Sequence, residues 1–344
     1  VIITLQQEGI DTVSYRFSVE DMEAFSKGYI GEREWEHSLI KEDSPFSPLQ
    51  ECWFERSPSF WYTRFYPRVV SFFGAPSGKF AISAGACAQI EGYIASSLYY
   101  QLRLAYDAVA TPSPSVQQFD TINPSYLPEV RTDSLRYYKG NQLCVEAFFL
   151  QKNFHPVKDL FVRCSVGYFE AAYAGVGWEM LYAPLFSSWA LGIEQATVWK
   201  RNYTGLGCKA KIRQLKGSLP CYIPFTGLQG FINLYKQFSS IGLETKLMAG
   251  YFLGRDIGAR LELRRIFKNG LALGVWYTVT NAQDKVNGSI YHDKGISFSI
   301  PLDLMKKKRS NRSLGSAFSL WLRDEGAAAY TGTALYPLIS GSRP

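Results

Sequence analysis

The sequence predicts an all-β protein: an up-and-down antiparallel transmembrane β-barrel of about 14 strands, behind a small N-terminal α+β piece. Three observations predict it. Segments in which apolar residues alternate with polar or small ones recur from about residue 59 onward, and successive strand side chains point to opposite faces. The connections between these segments are sorted by length, short at one end and long at the other. No charge-free apolar segment reaches the ~18 residues of a spanning helix, whereas a barrel strand needs only ~9–11.

Composition agrees. Of 344 residues, 15% are aromatic and only 19% are charged, below the ~25% of ordinary soluble domains. Glycines such as Gly167, Gly177, Gly192, Gly250 and Gly274 fall singly inside strand patterns, as in sheets that bend or meet a close neighbour. The net charge of +7 gathers in patches, clearest at Lys306, Lys307, Lys308 and Arg309. No nucleic-acid motif accompanies them, so a solvated turn beside a membrane explains them better and no nucleic-acid partner is expected. The chain starts at Val1 with no leader pattern, so any signal peptide or upstream part is expected to have been removed.

Residues 1–50 form a separate α+β segment with a linker. Two short strands flank Glu8-Gly9, residues 21–27 and 32–40 read as helices with Gly28 as a stop, and 44–49 as a Pro/Ser linker. Residues 56–340 form the barrel. Its predicted strands are 60–68, 79–91, 96–108, 142–154, 160–170, 175–183, 188–202, 228–238, 242–254, the two arms of a hairpin within 256–281, 294–300, 316–323 and a weak 327–338. The hairpin turns at Lys268-Asn269-Gly270, since Asn-Gly between two alternating runs is a strong hairpin signal.

Alternate connections fall on opposite ends of a meander. Four of the seven on one end are long (69–78, 109–141, 203–227, 282–293), whereas five of the six on the other are short turns. Outer-membrane barrels show this asymmetry, and a Greek-key sandwich has no reason to. The long end is taken as outward and the short turns, with the basic 305–313 connection, as periplasmic.

One face of the strands is apolar: Leu98 to Tyr106, Val162 to Tyr168, Trp189 to Trp199, Leu243 to Leu253 and Leu271 to Val279. The other carries Arg103, Asp107, Glu146, Arg163, Glu179, Glu194, Lys200, Glu244, Lys246, Arg260, Glu262 and Arg264. In a barrel set in lipid these charges line the lumen. Trp61, Tyr62, Tyr66, Tyr168, Trp189, Trp199, Tyr251 and Trp321 near strand ends suit interfacial girdles.

The chemistry is sparse. Three histidines, no paired-His motif, no phosphate loop and no nucleophile elbow stand in a supporting context. No metal or cofactor is expected. Glu146, Glu179, Glu194 and Glu262 are candidate glycosidase carboxylates, but lumen ion pairing explains them better. Cys208 and Cys221 share one loop, where a disulfide fits an oxidising compartment; Cys87, Cys144 and Cys164 read as small strand hydrophobes. The best ligand-binding candidate is the long connection around 122–138, through Tyr126, Arg131, Asp133 and Arg136. Lumen residues Arg163, Glu179, Glu194, Arg260, Glu262 and Arg264 are added to it. Aromatic rings offer stacking platforms for sugars, and arginine pairs with acidic ones.

Four segments resemble a known family. They are 122–138 (INPSYLPEVRTDSLRYY), 166–184 (VGYFEAAYAGVGWEMLYAP), 293–305 (DKGISFSIPLDLM) and 322–326 (LRDEG). In this order they resemble motifs of the YjbH-like outer-membrane exopolysaccharide biosynthesis proteins, in their C-terminal barrel part, over about residues 55–326. Members are typically about twice as long, with a lipoprotein signal and a further β-rich N-terminal half. The resemblance implies an outer-membrane barrel that takes part in exopolysaccharide assembly or secretion without catalysing a reaction. Its partners would be outer-membrane lipids, polysaccharide and other envelope or export proteins. The rival expectations are a general porin, a carbohydrate-active enzyme and a soluble β-sandwich binder.

Overall fold

The structure is a computed structural model and describes residues 2–7, 10–42, 60–74, 80–95, 98–111, 124–138, 140–302 and 313–340. The Glu8-Gly9 turn, the 44–49 linker, Cys52 and the Lys306–Arg309 run lie outside these. Strands β1 (Ile2–Gln7), β2 (Ile10–Arg16) and β3 (Ile40–Glu42) form a small sheet, with helices α1 (Val19–Ser26) and α2 (Glu32–Ser38) between β2 and β3. Ser18 caps α1 by accepting from Asp21 N–H at 2.9 Å, and Gly28 ends it at φ +74°, a backbone region glycine enters without steric penalty. β3 is an addition to the sequence reading. Its three residues are too few to show a period.

A 13-stranded antiparallel meander follows: β4 (Tyr62–Phe72), β5 (Ala81–Ala95), β6 (Leu98–Ala110), β7 (Gln142–Val157), β8 (Leu160–Tyr168), β9 (Tyr173–Tyr182) and β10 (Trp189–Lys200). Two strands, β11 (Lys211–Lys216) and β12 (Leu219–Pro224), make a separate hairpin within the next connection. The meander resumes with β13 (Gly227–Phe238), β14 (Leu243–Tyr251), β15 (Ile257–Ile266) and β16 (Ala272–Thr280). After a minor hairpin, β17 (Lys285–Val286) and β18 (Ser289–Ile290), it ends with β19 (Lys294–Pro301) and β20 (Ser313–Ser319). Each strand pairs with its sequence neighbours in the meander, and the edges are β4 and β20.

With an odd strand count, β4 and β20 run in the same direction. They meet at the long-loop end, where Leu322 N–H donates to Gly74 O at 3.2 Å and Phe73 packs edge-on against Phe318 at 5.4 Å. The barrel is nearly closed there. The sorted connections are present: 158–159, 239–242 and 267–271 are tight turns at one end, while 111–141, 201–226 and 281–293 lie at the other. In the β15–β16 turn Gly270 adopts φ +79° and its N–H donates to Phe267 O at 2.8 Å.

The burial pattern is inside-out. Leu191, Ile193, Leu228, Ile232, Leu234, Leu247, Leu261, Leu273, Val275 and Val279 are exposed, whereas Arg163, Glu179, Lys200, Gln151, Gln229 and Asn233 are buried. A water-soluble sandwich buries the first set and exposes the second. A wall set in lipid does the reverse. Aromatic residues mark both rims: Trp61, Tyr182 and Trp189 at the short-turn end, and Phe73, Tyr106, Trp199 and Tyr277 at the other. Three assignments change. Tyr62 shares its face with Tyr66 and buried Arg68 and lies opposite Glu91, so it belongs to the lumen side. Tyr66 shares register with buried Cys87 and donates to Gln89 Oε1 at 2.9 Å, so it lines the lumen instead of a girdle. Leu253 lies past the end of β14 and is buried in the core.

The expected last strand, 327–338, is not in the wall. The chain turns inward at 320–326 and runs down the lumen, ending in helix α3 (Leu335–Ser340), which packs on Phe161, Leu181, Ala190 and Tyr235 near the short-turn end. The reason is visible in the residues. Ala327-Ala328-Ala329 offers no alternating large side chains for a lipid face, and its small bulk fits beside Phe149 and Leu253.

Candidate functional site

The polar lumen is organised around this inward tail. A chain segment removed from water needs partners for its N–H and C=O groups, and wall side chains supply them. Gln229 brackets Ala329, accepting its N–H at 2.7 Å and donating to its C=O at 3.0 Å. Gln151 does the same for Thr333, at 2.8 and 3.2 Å. Arg163 Nη1 and Ser165 Oγ both donate to Thr331 O at 2.6 Å. Glu179 Oε2 accepts Leu335 N–H at 3.1 Å while ion-paired to Arg163 Nε at 3.0 Å. Arg260 Nη2 donates to Gly326 O at 2.7 Å and to Asp293 Oδ2 at 3.0 Å. Glycines make the room. A Cβ on Gly177 would come within 3.1 Å of Thr331 Cβ, and one on Gly332, at φ +101°, within 2.5 Å of Gln151 Oε1.

The connection at 124–138 folds into the same mouth, as far as it is described. Val130, Thr132, Asp133, Leu135 and Tyr137 are buried. One carboxylate holds it: Asp324 Oδ1 accepts from Val130, Arg131 and Thr132 N–H at 2.8, 2.6 and 3.0 Å, and Oδ2 from Thr132 Oγ1 at 2.9 Å. Asp133 is fixed by Lys200 Nζ at 2.5 Å and by the Tyr203 hydroxyl at 2.8 Å. Arg131 pairs with Glu170 at 2.7 Å and lies over the Tyr173 ring. Arg136 donates to the Tyr203 hydroxyl at 3.3 Å. Lys209 sits over the Tyr203 ring at 3.1 Å. Its ammonium is pushed down to about 8 by burial, with Lys200 reinforcing and Asp133 opposing the shift.

The β11–β12 hairpin covers this connection. Glu129 N–H donates to Arg213 O at 2.8 Å, and Gln214 Nε2 to Tyr126 O at 2.8 Å. Tyr126 itself is exposed. Cys208 and Cys221 are free thiols, so the loop disulfide is absent: Cys221 sits inside β12 and donates to Gln214 O at 3.2 Å, away from Cys208.

Of the ten sequence-chosen residues, Arg131 and Asp133 are brought together with Lys200 and Glu170, and Arg163 with Glu179. Glu194 stands opposite Glu179 in register, and Glu262 opposite Lys246. Arg264 pairs with Glu244 at 3.2 Å near the short-turn end, where it stays half exposed. Among the catalytic candidates, Glu146 is clamped by Arg68 at 2.7 Å and Arg103 at 2.8 Å. Sequence reasoning missed Gln151, Gln229 and Arg68. Alternation does not lead from Glu146 to Gln151, five residues later on the same strand: the register shifts opposite Arg103 and Leu104, and that bulge turns both side chains into the lumen.

The family described as exopolysaccharide biosynthesis protein YbjH (YjbH) matches residues 1–341. The chain belongs to this family. It is also 29% identical over 230 residues to the uncharacterized lipoprotein YjbH of Escherichia coli (strain K12), over 65% of this chain and 31% of that protein. The chain thus spans about a third of the length of that relative. Among solved structures it resembles OmpTΔL8, a loop L8 deletion mutant of OmpT, an outer membrane protein of Vibrio cholerae. That similarity has a TM-score of 0.32 at 10% identity, over 70% of this chain and 87% of the other. The barrel assignment rests on the strand pairing and the inside-out burial, not on this similarity.

Proposed function

We propose that this YjbH-family barrel sits in the bacterial outer membrane and takes part in exopolysaccharide assembly or secretion without catalysing a reaction. The long-loop mouth, not an open lumen, is its working surface. The observation that carries this reading is the occupied lumen: Arg163, Glu179 and Arg260 bind the chain's own residues 326–335, and Arg131 and Asp133 are committed to internal partners. A polar interior that holds its own tail is not arranged to conduct a polymer. Tyr126 and the hairpin beside it are left for contact with polysaccharide or with a partner of the export machinery. In this orientation the long loops face outward and the N-terminal segment lies on the periplasmic side.

A general porin would keep its lumen open, and a glycosidase would keep a carboxylate pair reachable by substrate; Glu146 and Glu179 are both buried in ion pairs. The test combines fractionation and genetics. The protein should require detergent for extraction, migrate faster unheated than boiled, and be required for surface polymer. Cells that lose the protein and keep normal polymer would refute the role.

A further inference from the structure

Charge at the long-loop mouth is sorted by depth. The described carboxylates at this end turn inward or pair: Asp133 to Lys200, Asp284 to Arg323, Asp293 to Arg260 and Asp324 to the loop backbone. Among the described residues of this end, Lys211, Lys216, Arg255, Lys285 and Lys294 stand on the surface. Sequence reinforces the imbalance, because no Asp or Glu occurs between Glu194 and Glu244, while the 201–226 connection alone carries Arg201, Lys209, Lys211, Arg213 and Lys216.

Two of these cations lie next to an exposed ring on the β11–β12 hairpin. Register places Lys211 opposite Pro224 and Arg213 opposite Tyr222, so Lys211 and Tyr222 share a side. Arg255 lies beside the Lys211–Pro224 end of the hairpin, donating through Nη2 to Pro224 O at 3.3 Å. Tyr222 is 67% exposed, an aromatic side chain left to solvent outside the lipid-facing wall. The hairpin is also held from behind. Ile212 is buried with Ile223 packed against the same core, and Glu129 N–H bonds to Arg213 O. A surface fixed before binding loses little conformational freedom when a ligand arrives.

We infer that the surface formed by Lys211, Tyr222 and Arg255 binds an acidic polysaccharide bearing uronate-type carboxylates. The inference deepens the exopolysaccharide reading above and rests on it. The cations meet carboxylates through charge-assisted hydrogen bonds, and the Tyr222 ring stacks on the apolar face of a sugar ring. Repeated weak contacts along a polymer add through effective concentration, so single exposed pairs suffice for retention.

The test uses the full chain purified in detergent, with polygalacturonate as the acidic probe and dextran as the neutral one. Wild type should retain polygalacturonate, weaken as salt rises and ignore dextran. Lys211→Glu with Arg255→Glu should bind roughly tenfold more weakly, and Tyr222→Ala should weaken binding without changing the salt dependence. Heat-modifiable migration confirms that each variant is folded, and Lys211→Gln with Tyr222→Ala substitutes if charge reversal disturbs assembly. Equal retention of dextran, unchanged binding by the folded variants, or displacement by inorganic phosphate where chloride of matched ionic strength has no effect would each overturn the acidic-glycan assignment. No binding by wild type overturns this inference alone. The broader reading falls only if cells lacking the protein keep normal surface polymer.

Discussion

Asp324 is the residue on which the mouth depends most. Its carboxylate satisfies three consecutive backbone N–H groups and one hydroxyl of the 130–132 segment. Replacing it by alanine leaves those donors buried without a partner, at about 1–3 kcal/mol for each group that water fails to reach. Asp324→Ala should therefore lower the temperature at which the folded gel band disappears and open the segment around 130–132 to protease, while the wall survives. Unchanged protease resistance would show that other contacts hold the loop. Its neighbour Glu325 gives a pH dependence. Burial pushes its carboxyl up to about 8, with Asp284, Asp256 and Asp293 reinforcing and the Thr280 hydroxyl opposing, and His292 Nδ1 lies 3.7 Å away. The folded state thus holds this proton more tightly than the unfolded chain, whose pKa is the ordinary 4.5. Stability from this group is complete below about 4.5 and declines as pH rises through 8. Thermal unfolding across that window should flatten in Glu325→Gln, and an unaltered slope would remove Glu325 as its source.

At the scale of elements, the β15–β16 hairpin states the inside-out rule most compactly. Leu261, 45% exposed, stands in register between Leu247 and Tyr277 on the lipid side. Its sequence neighbours Arg260 and Glu262 point into the lumen. An arginine at Leu261 should cost ~2–4 kcal/mol if the site is near the bilayer midplane, falling toward zero at the interface. Refolding titrations into lipid vesicles measure this, and no difference between Leu261→Arg and Leu261→Ala would argue against the assigned face. The same alternation that reveals a strand also reveals where one ends. The wall ends with β20 at Ser319, and Ala327-Ala328-Ala329 carries no alternation on which a further strand could resume.

For the molecule as a whole, the consequence of that departure is an occupied barrel with an odd number of strands. A fourteenth strand between β20 and β4 would have closed the sheet antiparallel. Its residues instead pass through the lumen, and the two edges approach in parallel at the long-loop end. Planar-bilayer recordings should show no steady conductance for the intact chain. Removal of residues 327–344 should produce channels, provided the truncated barrel still shows heat-modifiable migration. Gly177→Val offers a milder variant that keeps the chain whole, since its side chain would press on Thr331 and favour transient openings. Steady conductance by the wild type would mean that the tail leaves the lumen in a bilayer.

Local pattern alone determined most of the strand segments and of their lipid and lumen faces, and the sorting of loops between two ends, because period and connection length are properties of neighbouring residues. The family was likewise legible, from four motifs in order. The use of the lumen was decided only by tertiary structure. Gln151, Gln229, Arg163 and Glu179 are far from residues 326–335 in the chain, and nothing in their spacing shows that their partners are backbone groups of the tail. The basic face at the mouth has the same origin. Lys211, Tyr222 and Arg255 meet only after a hairpin inside a loop folds over the barrel, while burial hides the neighbouring carboxylates. Net charge read along the chain does not distinguish a cation turned to solvent from an anion paired beneath it.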